Sequence, residues 1–321
     1  MLNPLTIFKI ARFKVESYLF NKLIKSGNAW RLFDKAGIEG FGVNLIRLYF
    51  PIYYDKKSGR DSFSEELKQN MSNLFDHDKH QNSYSESVAA AMPGILMLPV
   101  KETDQVTPYL DNYYFGVFDA AVLAATMQIF KPSKIVEIGS GISTKYMKLF
   151  KDKFSLSTQI ICIDPYPRSE IDSVADKIIK QPLENVINDG LFQLQNGDIL
   201  FLDGSHYTYQ GNDTLMFFFN ILPAIPSGVI IHIHDIYLPF DYPENVAKQL
   251  WTEQYLLAAM LLGGFKGYEA IYPAYYMSQT NEFIKKHLAG VAAELQTKNF
   301  SLRADHTAGY SFWFKKSLPS A

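Results

Sequence analysis

Four ionisable side chains in two short stretches, Asp203-Gly204-Ser205-His206 and His234-Asp235, could do chemistry together. Each stretch follows an apolar run that reads as a buried strand, Asp198 to Asp203 and Val229 to His234. Ligands of open α/β sheets bind beyond the carboxyl ends of the strands, so these residues should converge on one edge. Carboxylates with an imidazole can hold a divalent cation, with water and substrate oxygens completing the shell. Such a cation lowers the pKa of a coordinated hydroxyl, and a histidine near neutral pH can take the proton. A core histidine would account for any one of these residues, but four ionisable groups at two strand ends are harder to place as core.

A second chemical stretch precedes them. Lys134-Ile135-Val136 leads into Glu137-Ile138-Gly139-Ser140-Gly141-Ile142-Ser143-Thr144, and Lys145 to Phe150 leaves it at helical spacing. That order predicts a buried parallel strand, a glycine turn and a helix whose first N–H groups face polar ligand atoms. The dinucleotide fingerprint needs a third glycine at the sixth position, where this chain has Thr144. The next apolar run, Gln159 to Ile163, ends in Asp164-Pro165, which places an acid where ribose hydroxyls can donate to it. An acid there serves NAD enzymes equally well, so Asp164 does not separate the two cofactors.

Glu137-Ile-Gly139-Ser-Gly141 resembles motif I of class I S-adenosylmethionine (SAM) methyltransferases, in which Glu-x-Gly-x-Gly holds the methionine part of the cofactor. The resemblance implies a cofactor site made of Glu137, Gly139, Ser140, Gly141, Ser143, Asp164 and Asp203. Asp203-x-x-His206 is similar to the Asp-x-x-His of macrolide sugar O-methyltransferases and to the Asp-x-x-Lys of catechol-type O-methyltransferases. By that likeness Asp203 is a metal ligand and His206 the general base, with Asp203 and His206 the catalytic pair. His234 and Asp235 match the adjacent ligand pair after the fifth strand. His234 stands where those families have a carboxylate, which moves the expected ion from magnesium toward a softer divalent metal and leaves a metal-free site as the alternative.

The wider resemblance, over about residues 110 to 280, is to a bacterial group of class I methyltransferases, with His232-Ile-His-Asp-Ile-Tyr-Leu-Pro239 and Trp251-Thr-Glu-Gln-Tyr255 joining the pattern. It implies a Rossmann-like class I methyltransferase fold, a mostly parallel seven-stranded sheet with helices on both faces and an antiparallel edge. The last two strands should come from Tyr268–Tyr272 and Tyr310–Phe314. The expected activity is SAM-dependent O-methylation of a small-molecule or sugar-containing metabolite. Two other classes remain open: a metal-dependent hydroxylase of the cephalosporin hydroxylase type, and a SAM-binding regulatory or assembly protein without catalysis.

The 321 residues carry a formal net charge of −2, 47% hydrophobic and 20% charged residues, which fits a soluble globular chain and offers no basic field for nucleic acid. One cysteine, Cys162, excludes an internal disulfide and lies inside an apolar run, as a core residue in a reducing compartment would. No run approaches the ~20 apolar residues that span a bilayer, and no signal peptide is recognisable, so the expected location is cytoplasmic. Residues 1–110 are expected to be a largely helical or irregular N-terminal cap or oligomerisation region, with the SAM-binding domain over 111–321. Within the first part, Leu5–Leu23 predicts a basic amphipathic helix that packs on its own domain, on a second subunit of a homo-oligomer, or on a membrane surface.

Further expectations concern the surroundings. Lys56–Ser87 reads as a flexible loop or an exposed helix, and 116–130 as a helix stopped by Lys131-Pro132. Helices should also cover about 212–222 and 280–296. Tyr113, Tyr114 and Phe115 could line the cofactor pocket or pack as core. Tyr237, Phe240 and Tyr242 lie in a proline-marked loop that could form a substrate lid. Glu253, in a largely apolar helix, is an outside candidate for the substrate site.

Overall fold

The computed structural model describes residues 61–75, 78–167, 171–247, 249–298 and 307–317. The chain divides into two units, Met1–Lys57 and Ser58–Ala321, and all the described residues belong to the second. The helix predicted over Leu5–Leu23 lies outside the described residues.

Two helices come first, α1 (Glu65–Ser72) and α2 (Asp78–Leu96). Ser64 caps α1 by accepting the Leu67 N–H at 3.3 Å. Within the polar stretch, the described residues are helical over Glu65–Ser72 and from Asp78 onward, and they bury Met71, Phe75 and Tyr84. Next is α3 (Val117–Phe130), apolar almost throughout; it ends where Lys131 turns left-handed (φ 46°) ahead of Pro132. Strand β1 (Lys134–Ile138) and helix α4 (Ile142–Lys153) flank the glycine turn. Then come β2 (Gln159–Ile163), β3 (Lys177–Ile179), β4 (Ile199–Leu202) and α5 (Asp213–Met216), which widens into a π-helical turn, Phe217–Ile221. Strand β5 (Ile230–Ile233), α6 (Glu253–Leu262) and β6 (Tyr268–Pro273) follow. Helices α7 (Ala274–Thr280) and α8 (Glu282–Thr297) and strand β7 (Phe312–Lys316) complete the unit. The helix expected over 280–296 is α8, preceded by the shorter α7, and between them the Asn281 side chain caps α8 by accepting the Ile284 N–H at 3.0 Å.

The seven strands form one sheet in the order β3-β2-β1-β4-β5-β7-β6. β3, β2, β1, β4 and β5 are parallel, and β7 runs antiparallel to both β5 and β6. Alternate side chains feed two cores, as strands covered on both faces require. Ile135, Ile160, Cys162, Ile199 and Phe201 pack with α2, α3, α4 and α8 on one face. Val136, Ile161, Leu200 and Ile231 pack with α1, α6 and the π-helical turn on the other. Among the described residues no helix is long and apolar enough to cross a membrane.

The order reverses between β1 and β4. The carboxyl ends of these two central strands, with β2 and β5 on either side, carry the glycine turn, Asp164, Asp203, His206, His234 and Asp235.

Candidate functional site

The glycine turn closes against β4. Gly139 has φ +91°, and a Cβ there would overlap the Asp203 carbonyl oxygen and stand 2.9 Å from its carbonyl carbon. Only glycine allows the two strand ends to come this close. At Gly141 a Cβ would meet nothing within 4 Å, because the residue faces an open pocket. That pocket is lined by Tyr114, Phe115, Ser140, Gly141, Ile142, Ser143 and Asp203.

Glu137 does not face this pocket. It is fully buried, and its carboxylate accepts from Ser143 Oγ at 2.5 Å and Thr144 Oγ1 at 2.6 Å. Thr144 Oγ1 in turn accepts the Gly141 N–H at 3.0 Å. The threonine at the third-glycine position therefore ties the start of α4 to β1. Burial pushes the Glu137 carboxyl up to about 7, against the lowering effect of the Ser143, Thr144 and Cys162 hydrogen bonds. In this geometry Glu137 braces the turn from beneath. Asp164 stands across the turn, where its Oδ2 accepts from Ser140 Oγ at 2.7 Å and its Oδ1 accepts the Tyr166 N–H at 2.8 Å.

Asp203 also borders a second cluster. His206 Nε2 lies 3.6 Å from Asp203 Oδ1 and 3.5 Å from Asp235 Oδ2. His234 Nδ1 lies 3.8 Å from Asp203 Oδ1 and 3.7 Å from Asp235 Oδ1. The four residues therefore converge as their sequence positions predicted. Asp203, His206 and Asp235 each offer a donor atom within 4.8 Å of the other two, which fits a metal ion. The likeness separated His206 as base from His234 as ligand, yet both imidazoles face the same pair of aspartates.

Local backbone aims these groups. His206 and Asp235 both adopt left-handed conformations (φ 64° and 57°), which cost free energy for non-glycine residues and so are held by their surroundings. The Ser205 N–H donates to Asp213 Oδ2 at 2.7 Å, and the His206 carbonyl accepts the Thr252 N–H at 2.9 Å. That second bond brings the first turn of α6 to the site. There the buried Glu253 hydrogen-bonds His206 Nδ1, and the Trp251 ring packs 4.4 Å from the imidazole. Burial alone would lower the His206 pKa; Glu253, then Asp235 and Asp203, outweigh it and raise it to about 9.

Two carboxylates of this cluster were poorly legible in the sequence. Glu253 stood only as a substrate-site candidate, and Asp119 was not noticed. Its signal was a single charged residue inside the apolar helix Val117–Phe130. Asp119 Oδ2 lies 3.7 Å from His234 Nε2.

The aromatic expectations divide. Phe115 is buried with its ring 5.2 Å from that of His234, and with Tyr114 it lines the pocket, while Tyr113 is exposed. Tyr237 and Tyr242 are buried against each other, with Trp251, Tyr275 and Tyr310 beside them, and so anchor their loop.

Residues 136–236 match the family model described as a methyltransferase domain. Similar solved structures include two of low sequence identity to this chain. One is the SAH-bound methyltransferase PaMTH1 of Podospora anserina, 12% identical over 70% of this chain and 93% of that chain, with a TM-score of 0.34. The other is a cyclopropane-fatty-acyl-phospholipid synthase-like protein from Lactobacillus casei ATCC 334, 14% identical over 71% of this chain and 99% of that one, with a TM-score of 0.29. No curated protein matches the chain. The matched span runs from β1 to just past β5 and includes the glycine turn, Asp164, Asp203, His206, His234 and Asp235. With the observed sheet order, the fold is a Rossmann-like class I methyltransferase fold, and the match supports SAM as the cofactor.

Proposed function

We propose that this protein transfers the methyl group of SAM to a hydroxyl of a small-molecule or sugar-containing acceptor. The observation that carries the reading is the double position of Asp203. It lines the pocket in front of the glycine turn and lies within 4 Å of both histidines of the ionisable cluster. A cofactor in the first space and an acceptor at the second would meet at this one residue.

In the reaction the acceptor oxygen forms a bond to the methyl carbon as the carbon–sulfur bond breaks, and S-adenosylhomocysteine (SAH) leaves. The hydroxyl proton has to go to a base. His206 is the candidate, because Glu253 fixes its Nδ1 side and leaves Nε2 facing the aspartates, the arrangement of an oriented base. Asp164 would accept from the ribose hydroxyls, and the backbone of Gly139 to Gly141 would contact the rest of the cofactor. Most of the acceleration would come from alignment of acceptor and methyl donor.

Asp203, His206 and Asp235 bring donor atoms within 4.8 Å of one another, and His234 Nδ1 lies 3.8 and 3.7 Å from the same two aspartates, which suits a divalent cation at this cluster. Such a cation would lower the acceptor's pKa and offset the negative charge that holds the proton on His206. The test is methylation of hydroxylated acceptors by labelled SAM, with and without divalent metal. Label transfer to nitrogen or carbon acceptors alone would overturn the O-methyl assignment.

A second reading has one observation in its favour. Two imidazoles and two carboxylates around one point also suit the ferrous iron of oxygenases. A hydroxylase of the cephalosporin hydroxylase type would consume oxygen with ferrous iron and need no SAM.

A further inference from the structure

His234 lies between two groups of carboxylates. Its Nδ1 faces Asp203 and Asp235, at 3.8 and 3.7 Å, and its Nε2 faces Asp119 Oδ2 at 3.7 Å. Neither His234 Nε2 nor Asp119 Oδ2 has a hydrogen-bond partner among the described residues, and both side chains are buried. A buried polar atom left unpaired costs free energy, and here each of the two is the other's facing partner. Asp119 is held in place by its other oxygen, which accepts the N–H groups of Tyr310 and Ser311 at 2.9 and 2.8 Å at the start of β7. The imidazole is confined by the Phe115 and His232 rings, at 5.2 and 5.8 Å. A shift of well under an ångström closes the remaining gap to a hydrogen bond.

We propose that Asp119 is a positioning residue that keeps the proton of His234 on Nε2, so that Nδ1 presents its lone pair to a divalent cation shared with Asp203 and Asp235. The imidazole nitrogen makes this centre select a transition-series cation over magnesium. The inference rests on the metal reading of the site given above. A buried carboxylate behind a ligating histidine orients the ring and raises its basicity. The same device stands behind the neighbouring imidazole, where Glu253 holds His206 by Nδ1. The two rings are held by opposite nitrogens and present opposite nitrogens to one pair of aspartates.

Asp119→Asn tests this. The variant keeps an acceptor oxygen for Tyr310 and Ser311 but turns an amide N–H toward His234 Nε2. That nitrogen must then accept, the ring proton moves to Nδ1, and the ligand lone pair is blocked. Co2+ is titrated into the whole protein and followed by visible absorption, with Mg2+ as competitor and SAH affinity as the structural control. The wild-type protein should bind Co2+ in preference to Mg2+, and Asp119→Asn should weaken Co2+ about 10- to 100-fold with SAH affinity unchanged. Equal Co2+ affinity and spectrum in both proteins would overturn the role of Asp119 and leave the metal centre standing. No Co2+ binding by the wild-type protein would overturn the metal reading itself. If Asp119→Asn does not fold, 15N-histidine NMR of the Zn2+-loaded wild-type protein decides the point, with His234 assigned through His234→Gln. Metal on Nδ1 with a proton on Nε2 supports the proposal; any other state of that ring overturns it.

Discussion

Gly139 and Asp203 meet where the ends of β1 and β4 are closest, the glycine backbone lying against the aspartate carbonyl with no room for a Cβ between them. The contact sets the distance between the two halves of the site. It fixes the glycine turn on one side, and on the other it fixes the residue whose carboxylate reaches both histidines. The turn and the cluster are thus one rigid construction at the point where the strand order reverses.

The two glycines of the turn should respond differently. Gly139→Ala forces a left-handed alanine into the Asp203 carbonyl and should destabilise the fold by more than about 2 kcal/mol. Gly141→Ala adds a methyl group where nothing lies within 4 Å, so its denaturation midpoint should stay near wild type while SAH affinity falls. Chemical denaturation and SAH titration of both variants check this; equal stability losses would contradict it.

Asp164→Ala removes the acid at the end of β2 that now accepts from Ser140 and the Tyr166 N–H. A charged acceptor lost from two ribose hydroxyls should weaken SAH about tenfold or more. Unchanged affinity would place the ribose elsewhere.

His206→Ala should leave SAH binding intact and lower methyl transfer about 10²- to 10⁴-fold, the usual span for a lost general base. Wild-type turnover in this variant would remove the base assignment.

Glu137 gives the protein a pH-dependent stability term. Its folded pKa is raised from 4.5 to about 7 because burial disfavours the carboxylate. The folded state therefore holds this proton more tightly than the unfolded state. The contribution is fully present below pH 4.5 and is lost as pH rises through about 7. Relative to Glu137→Gln, the wild-type protein should lose about 3 kcal/mol between pH 4.5 and pH 8. Parallel stability curves for the two proteins would mean that Glu137 ionises in the fold at its ordinary pKa.

The sequence made strands β2, β4 and β5 legible because they are continuous apolar runs that lead into residues that cannot be core. Asp164, Asp203 and Asp235 marked the site edge in this way. Strand β3 was missed, since three residues, Lys177–Ile179, carry no periodicity. Lys56–Ser87 reads as a flexible loop or an exposed helix because the residues it buries, Met71, Phe75 and Tyr84 among them, are scattered among charges and amides. The hydrogen bonds of Glu137 to Ser143 and Thr144 were not legible, because chain order does not show which way a side chain turns and these partners lie on the next element. Asp119 illustrates the same limit over a longer distance. Its partners, His234, Tyr310 and Ser311, are brought to it only by the closed sheet.

The central claim is the cofactor, and calorimetric titration of the purified protein with SAH, using NAD as the control ligand, tests it most directly. The account predicts selective binding of SAH. A folded protein that binds NAD, or that binds neither ligand, would contradict it.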